Sequence, residues 1–333
     1  MGATSRCKWV RIGLVAGLVL GGSRVQAQGP VAADSTSRDH LIGYTFANDA
    51  FFRTDYYFTQ GMTLHVMLPA LAHSPVNKVL LKSRPGATYF HGVTLHYDGF
   101  TPLRIQDGFI RAGDRPYAST LYAAFYRTAN DPARRTRLRA GVDLGVIGPP
   151  TGAKNFQTYI HERISSPLPR GWGYQVSTDL VLGYRVAYEQ QLAHIGRGLE
   201  VIGQSEASLG SLYTFAAAGA LVRVGKMNPY FRTVGVVSRQ NRVAGQKVQL
   251  YGQAQLTGRL VGYDATLQGG LSNRSSPYTL SASNIARTVA QGTGSLIMAY
   301  GGCSFRAAGT WISPEFTGAR HHAWALFGID VAF

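Results

Sequence analysis

The residues able to do chemistry fall into short polar clusters. Asn48-Asp49 is followed by Thr54-Asp55-Tyr56-Tyr57-Phe58-Thr59-Gln60-Gly61. Further along, Gln157 and His161 stand four residues apart, between Gly148-Pro149-Pro150-Thr151-Gly152 and Pro169-Arg170-Gly171-Trp172-Gly173-Tyr174-Gln175. Histidine is the side chain best suited to moving a proton near neutral pH. On a helical turn, positions i and i+4 project together, so Gln157 could hydrogen-bond or orient His161. Each piece also has a plainer reading. Asn, Asp and Thr commonly close loops, and a lone histidine is more often a surface or lumen group than a base. What favours the chemical reading is that three polar clusters are expected side by side.

That expectation comes from the elements around them, which alternate with period two. Ile42, Tyr44 and Phe46 share a face, as do Met62, Leu64, Val66 and Leu68, then Leu138, Ala140, Val142, Leu144 and Val146. Val176, Thr178, Leu180, Leu182, Tyr184, Val186 and Tyr188 continue the pattern, and Val248, Leu250, Gly252, Ala254, Leu256, Gly258 and Leu260 repeat it. Between them stand Arg137, Arg139, Asp143, Asp179, Arg185, Gln253, Gln255 and Arg259, which belong in water or a lumen and not in lipid. The chain ends likewise, with Phe327, Ile329, Val331 and Phe333 on one face and Gly328, Asp330 and Ala332 on the other. The expected fold is all-β, a transmembrane antiparallel β-barrel of about twelve strands. Phe333 resembles the terminal signal by which bacterial outer-membrane barrels are recognised for insertion, so the outer-membrane assembly machinery is an expected partner.

The other end agrees. Arg6, Lys8 and Arg11 precede an apolar stretch from Ile12 to Leu20 and a small-residue cleavage site at Val25-Gln26-Ala27. We therefore read residues 1–27 as a cleaved signal peptide, 28–40 as an N-terminal periplasmic segment and 41–333 as the barrel. The apolar stretch is too short to span a bilayer as a helix, which takes about 20 residues, and no later segment is long enough either. A secreted chain without membrane helices is soluble or spans as a closed barrel. Abundant glycine, 40 residues, and only 15% charged residues suit strands with tight turns and a lipid face. Cys7 leaves with the signal peptide, so Cys303 has no intramolecular partner and no disulfide framework is expected.

The formal charge is +16, and removing Arg6, Lys8, Arg11 and Arg24 still leaves a strongly cationic chain. Scattered basic residues, no nucleic-acid motif and export argue against nucleic acid. A phosphorylated glycolipid at a bacterial surface is the fitting anionic neighbour; solvated loop charges are the alternative.

With both termini periplasmic, segments 49–58, 98–118 and 148–173 lie at the extracellular rim, and 69–87 is a long periplasmic connection. If Ile42, Tyr44 and Phe46 face lipid, Asp49 faces inward; if Met62, Leu64 and Val66 face lipid, so does Thr59. Asp49 and Thr59 are then expected to meet on the inner wall near the outer rim.

Taken in order, Asn48-Asp49, Thr54-Asp55-Tyr56-Tyr57 with Thr59 and Gly61, Thr101-Pro102, Asp114-Arg115-Pro116-Tyr117-Ala118, Gly145-Val146-Ile147-Gly148-Pro149, Gln157-x-x-x-His161 and Gly171-Trp172-x-x-Gln175 resemble the lipid A deacylase family of Gram-negative outer membranes. The resemblance covers about residues 41 to 190, with general barrel character beyond. It implies hydrolysis of the 3′-linked acyloxyacyl chain of lipid A in lipopolysaccharide, with a divalent cation, usually calcium. It also implies His161 as general base, Gln157 as its neighbour, and Asn48, Asp49 and Thr59 as the cation and oxyanion group. The chemistry is coherent, because ester hydrolysis needs a base near neutral pH and a way to stabilise the oxyanion. Hard oxygen ligands such as Asp49 and the amide of Asn48 suit calcium over zinc. Two departures stand out. A family lysine has no counterpart between Pro102 and Asp114, where only Arg104 and Arg111 are basic, and Gly173 replaces a residue that is often polar.

Two rival readings remain at this stage. An outer-membrane phospholipase would pair a nucleophilic serine with its histidine, and Ser165 and Ser166 lie near His161 without an elbow context. A structural or pore-forming barrel would treat the clusters as rim decoration.

Overall fold

The computed structural model describes residues 33–52, 56–234 and 246–333; the expected signal peptide lies outside the described residues. Twelve strands close into an antiparallel barrel: β2 (Leu41–Asn48), β3 (Tyr57–Met67), β4 (Thr88–Thr101), β5 (Ala118–Asp131), β6 (Thr136–Ile147), β7 (Asp179–Ile195), β8 (Leu199–Gly210), β9 (Tyr213–Lys226), β10 (Val248–Asp264), β11 (Thr288–Tyr300), β12 (Cys303–Ile312) and β13 (His322–Ala332). Each pairs with its neighbour in sequence, and β13 returns to β2 with Phe327 opposite Phe46, leaving no open edge. A two-residue strand, β1 (Ser35–Thr36), adds in parallel to the start of β4.

Period-two alternation fixes what each wall faces. Leu180, 68% exposed, and Leu182, Leu209, Leu256 and Leu260 stand outward, a surface that water would not tolerate and lipid favours. Inside, the polar partners meet one another. Arg185 Nη2 lies 3.2 Å from Asp143 Oδ2, and Gln255 reaches past β9 to donate to Gln204 at 2.9 Å. His65 of β3 meets Asp330 of β13 at 3.1 Å across the intervening β2. That pair requires Gly43, because a Cβ there would lie 2.2 Å from both side chains. Pairing offsets the cost of withdrawing such charges from water.

Six connections crowd the upper end, 49–56, 102–117, 148–178, 211–212, 265–287 and 313–321, while the described termini lie at the lower end. Arg115, 1% exposed, ties three of the upper connections together. It donates to Glu315 at 2.8 Å and Thr266 Oγ1 at 2.7 Å, with its guanidinium 4.4 Å from the Phe100 ring centre. Burial pushes the Tyr278 phenol up, so it stays protonated and donates to the Asp114 carbonyl at 2.9 Å.

One sequence expectation is corrected here. Val176 and Thr178 alternate with the β7 residues yet precede β7, which starts at Asp179. Val176 is fully buried in the upper connection, where its amide donates to the Tyr117 carbonyl at 2.8 Å. Alternation counted them because an extended loop and a strand share the same period. The 69–87 connection joins the lower ends of β3 and β4, at the end carrying the described termini, and folds back onto the barrel's outer wall. His91 and Arg127 face each other across β4 and β5 at outward positions, in register with exposed Leu95. An arginine on a lipid face costs roughly 2–4 kcal/mol at mid-membrane and less near the interfaces. The connection covers both residues. Asn77 Oδ1 bonds His91 Nδ1 at 2.9 Å, and Arg127 donates to the carbonyls of Asn77 and Leu80.

Candidate functional site

The upper connection between β6 and β7 carries helix α1 (Ala153–Arg163). Gly148, at φ 95°, and Gly152, at φ 75°, turn the chain into it with left-handed backbone that other residues adopt at a cost. Thr151 accepts or donates within 2.5 Å of Ser119 on β5, which pins the entry to the wall. The helix buries polar side chains and exposes several apolar ones. Its buried residues are Ala153, Gln157 and His161, while Phe156, Tyr159 and Ile160 are exposed, followed by Ile164 just beyond its end. Phe156, Tyr159 and Ile160 form an apolar flank, and Lys154, Asn155, Glu162 and Arg163 are exposed as well, so the outer surface of the helix is mixed. Phe156 packs edge-on against outward-facing Tyr97 of β4, 5.9 Å between ring centres.

Gln157, 1% exposed, bridges the helix to both sides of the site. Its Oε1 accepts the Trp172 indole N–H at 2.7 Å, and its Nε2 donates to Thr59 Oγ1 at 3.4 Å. Trp172 is held in turn by Tyr117, 4.8 Å between rings, whose hydroxyl donates to the Ile105 carbonyl at 3.0 Å. Gly171 is required here, because a Cβ would lie 2.3 Å from the Tyr117 ring.

Thr59 departs from its expected place on the inner wall. Register shifts by one residue between Phe58 and Gln60, so Thr59 and Gln60 both lie beside Gly99. The parity argument fails at such a bulge. Thr59 consequently faces α1 on the outer side of the wall, and Asn48 Nδ2 donates to its carbonyl at 2.8 Å. Asn48 Oδ1 also accepts from the Ala50 amide at 2.8 Å. Asp49 is 1% exposed, and its Oδ2 accepts from the Tyr56 amide at 3.0 Å. Thr54 and Asp55, part of the same sequence cluster, lie outside the described residues.

His161, 9% exposed, lies one turn beyond Gln157 on the buried face. No bond joins Gln157 to it among the described residues; the amide bonds Trp172 and Thr59 instead. The partner is the Pro167 carbonyl, 2.7 Å from Nδ1. A carbonyl only accepts, so Nδ1 carries the proton and the lone pair sits on Nε2. The imidazole is thereby held in the tautomer of a base at Nε2. Sequence reading missed Pro167, and no side-chain signal could have found it, because it acts through its backbone. Trp172 was visible as part of a motif, but its role as the Gln157 partner was not.

Ser166 touches His161 only through its amide, which donates to the histidine's carbonyl at 2.9 Å. No serine hydroxyl bonds the imidazole among the described residues. Arg104 and Arg111, the basic residues between Pro102 and Asp114, are both drawn to Asp107, at 3.9 and 2.6 Å. No cluster of three or more His, Cys, Asp or Glu side chains occurs among the described residues, so any cation would rely on amide, hydroxyl and carbonyl oxygens beside Asp49.

Among solved structures, the chain is similar to LpxR from Salmonella typhimurium, with a TM-score of 0.67 and 19% identity over 87% of this chain and 99% of that one. The β domain of the Bordetella autotransporter BrkA matches at a TM-score of 0.43 and 10% identity, over 89% of this chain and 99% of that one. No curated protein sequence matches. The family model described as outer membrane protein LpxR matches residues 14–333, nearly the whole chain. This chain belongs to the outer membrane protein LpxR family.

Proposed function

We propose that the protein is an esterase of the outer membrane that removes the 3′-linked acyloxyacyl chain from lipid A, with His161 as general base. The observation that carries this reading is the bond from His161 Nδ1 to the Pro167 carbonyl, which leaves Nε2 as the basic nitrogen, one helical turn from Gln157, itself bonded to Thr59 and Trp172. The cluster lies between the outer wall and a helix with an exposed apolar flank of Phe156, Tyr159 and Ile160, a setting that suits a lipid ester. With the termini in the periplasm, that end opens to the outer leaflet, where lipid A resides.

In the reaction, Nε2 of His161 takes the proton of a water as its oxygen attacks the ester carbonyl, and returns a proton to the departing sugar oxygen. Pro167 holds the ring through both transfers, and the resulting imidazolium keeps its Nδ1–H donated to the same carbonyl. Gln157 and Trp172 fix α1 against β3, which sets the distance from Nε2 to the ester. A divalent cation would be held by the Asp49 carboxylate with the Asn48 amide oxygen and the Thr59 hydroxyl, an all-oxygen donor set that suits calcium. Such an ion supplies charge to stabilise the developing oxyanion. Product analysis tests the reading. Purified protein with lipid A should release one acyloxyacyl unit, identified by mass, and should leave phospholipid vesicles intact. Fatty acid from phospholipid alone would reject it in favour of a phospholipase.

A further inference from the structure

The 69–84 segment offers a second lipid-facing site, at the opposite end of the barrel from α1 and independent of the proposed catalysis. Two 3-10 turns, Pro69–His73 and Pro75–Lys78, lie across the outer faces of β4 to β7. The turns are held from within by Asn77, whose Nδ2 donates to the carbonyls of Leu71, Ala72 and Ser74 at 2.8 to 3.2 Å. The stretch after them is held from beneath by Tyr184, which donates to the Val79 carbonyl and accepts from the Leu81 amide, both at 3.0 Å.

Tyr184 belongs to the same outward row as Leu180 and Leu182, so the segment continues the lipid-facing wall. Its own outward side chains are Val79, 63% exposed, and Leu81, 51% exposed. Lys78, Lys82 and Arg84 flank them, exposed and without an ion pair among the described residues. Two apolar side chains between three cations fit an interface of acyl chains and anionic head groups. A purely solvated loop has no reason to turn Val79 and Leu81 outward while burying Leu80.

We propose that residues 69–84 are an interfacial anchor that binds the phosphates of anionic glycerophospholipid in the leaflet at the end carrying the chain termini. Val79 and Leu81 enter the upper acyl region, and Lys78, Lys82 and Arg84 contact head groups. Anchoring there would fix the height of the barrel, and with it the level of α1 on the other side.

The test uses the full protein in vesicles with a fluorophore on Leu81→Cys, in a Cys303→Ser background, and the same fluorophore on Leu182→Cys as a lipid-facing reference. Nitroxide-labelled phosphatidylglycerol and phosphatidylcholine serve as quenchers. The Leu81 probe should be quenched by both lipids, and about fivefold more effectively by phosphatidylglycerol, the factor that one cation near the surface contributes. Lys78→Glu, Lys82→Glu and Arg84→Glu together should abolish that preference while leaving gel mobility of the folded barrel unchanged. A Leu81 probe that neither lipid quenches, beside a quenched Leu182 probe, would overturn the anchor. Equal quenching by the two lipids would overturn the head-group assignment.

Discussion

The Trp172 indole donates to Gln157 Oε1 at 2.7 Å, and this one bond decides which way the buried amide faces. With Oε1 committed, Nε2 must turn to Thr59, so a loop tryptophan determines how helix α1 meets the barrel. Trp172→Phe keeps the ring's packing on Tyr117 and leaves Oε1 buried and unpaired, a cost of about 1–3 kcal/mol. Faster amide exchange in 153–163 and roughly tenfold slower ester hydrolysis are expected. Unchanged exchange would show that α1 is held by packing alone.

Gly171 and Gly173 lie two residues apart in the same turn and should respond differently. A methyl at 171 meets the Tyr117 ring at 2.3 Å, whereas one at 173 meets nothing within 4 Å. Gly171→Ala should cost about 1–3 kcal/mol of local stability through overpacking and lower turnover, while Gly173→Ala should do neither. Limited proteolysis of the folded protein would separate the two.

Cation dependence should follow the donor types. Chelation should stop hydrolysis and calcium restore it, with zinc a poor substitute among oxygen ligands. Asp49→Ala removes the balancing negative charge and should cost more than Thr59→Ala, which removes a neutral hydroxyl. Full activity in excess chelator would contradict the cation.

Ser165→Ala and Ser166→Ala should each leave turnover within about threefold, since neither hydroxyl bonds His161. Loss of several orders of magnitude at either would point to a covalent serine mechanism.

Much of this architecture is legible in the sequence because a transmembrane strand writes one bit per residue. Leu180, Leu182 and Tyr184 face outward and Arg185 faces inward as their period requires. The reading fails where local geometry breaks the period. At Thr59 a single extra residue carries the side chain to the opposite side of the wall, and no residue type in Phe58-Thr59-Gln60 announces it. At Val176 an extended loop imitates a strand. The 69–87 connection reads as an oversized turn because its tethers, Asn77, Arg127 and Tyr184, are far apart in sequence. In the site, Gln157 and His161 are visible as a spaced pair, yet each takes its partner from the following loop and not from the other.

The role of His161 is the central claim. His161→Ala, purified as a folded barrel with unchanged gel mobility, should release the 3′-acyloxyacyl unit of lipid A about 10²- to 10⁴-fold more slowly than the native protein, the usual contribution of a general base. A His161→Ala protein that releases this unit at a near-native rate would contradict the account.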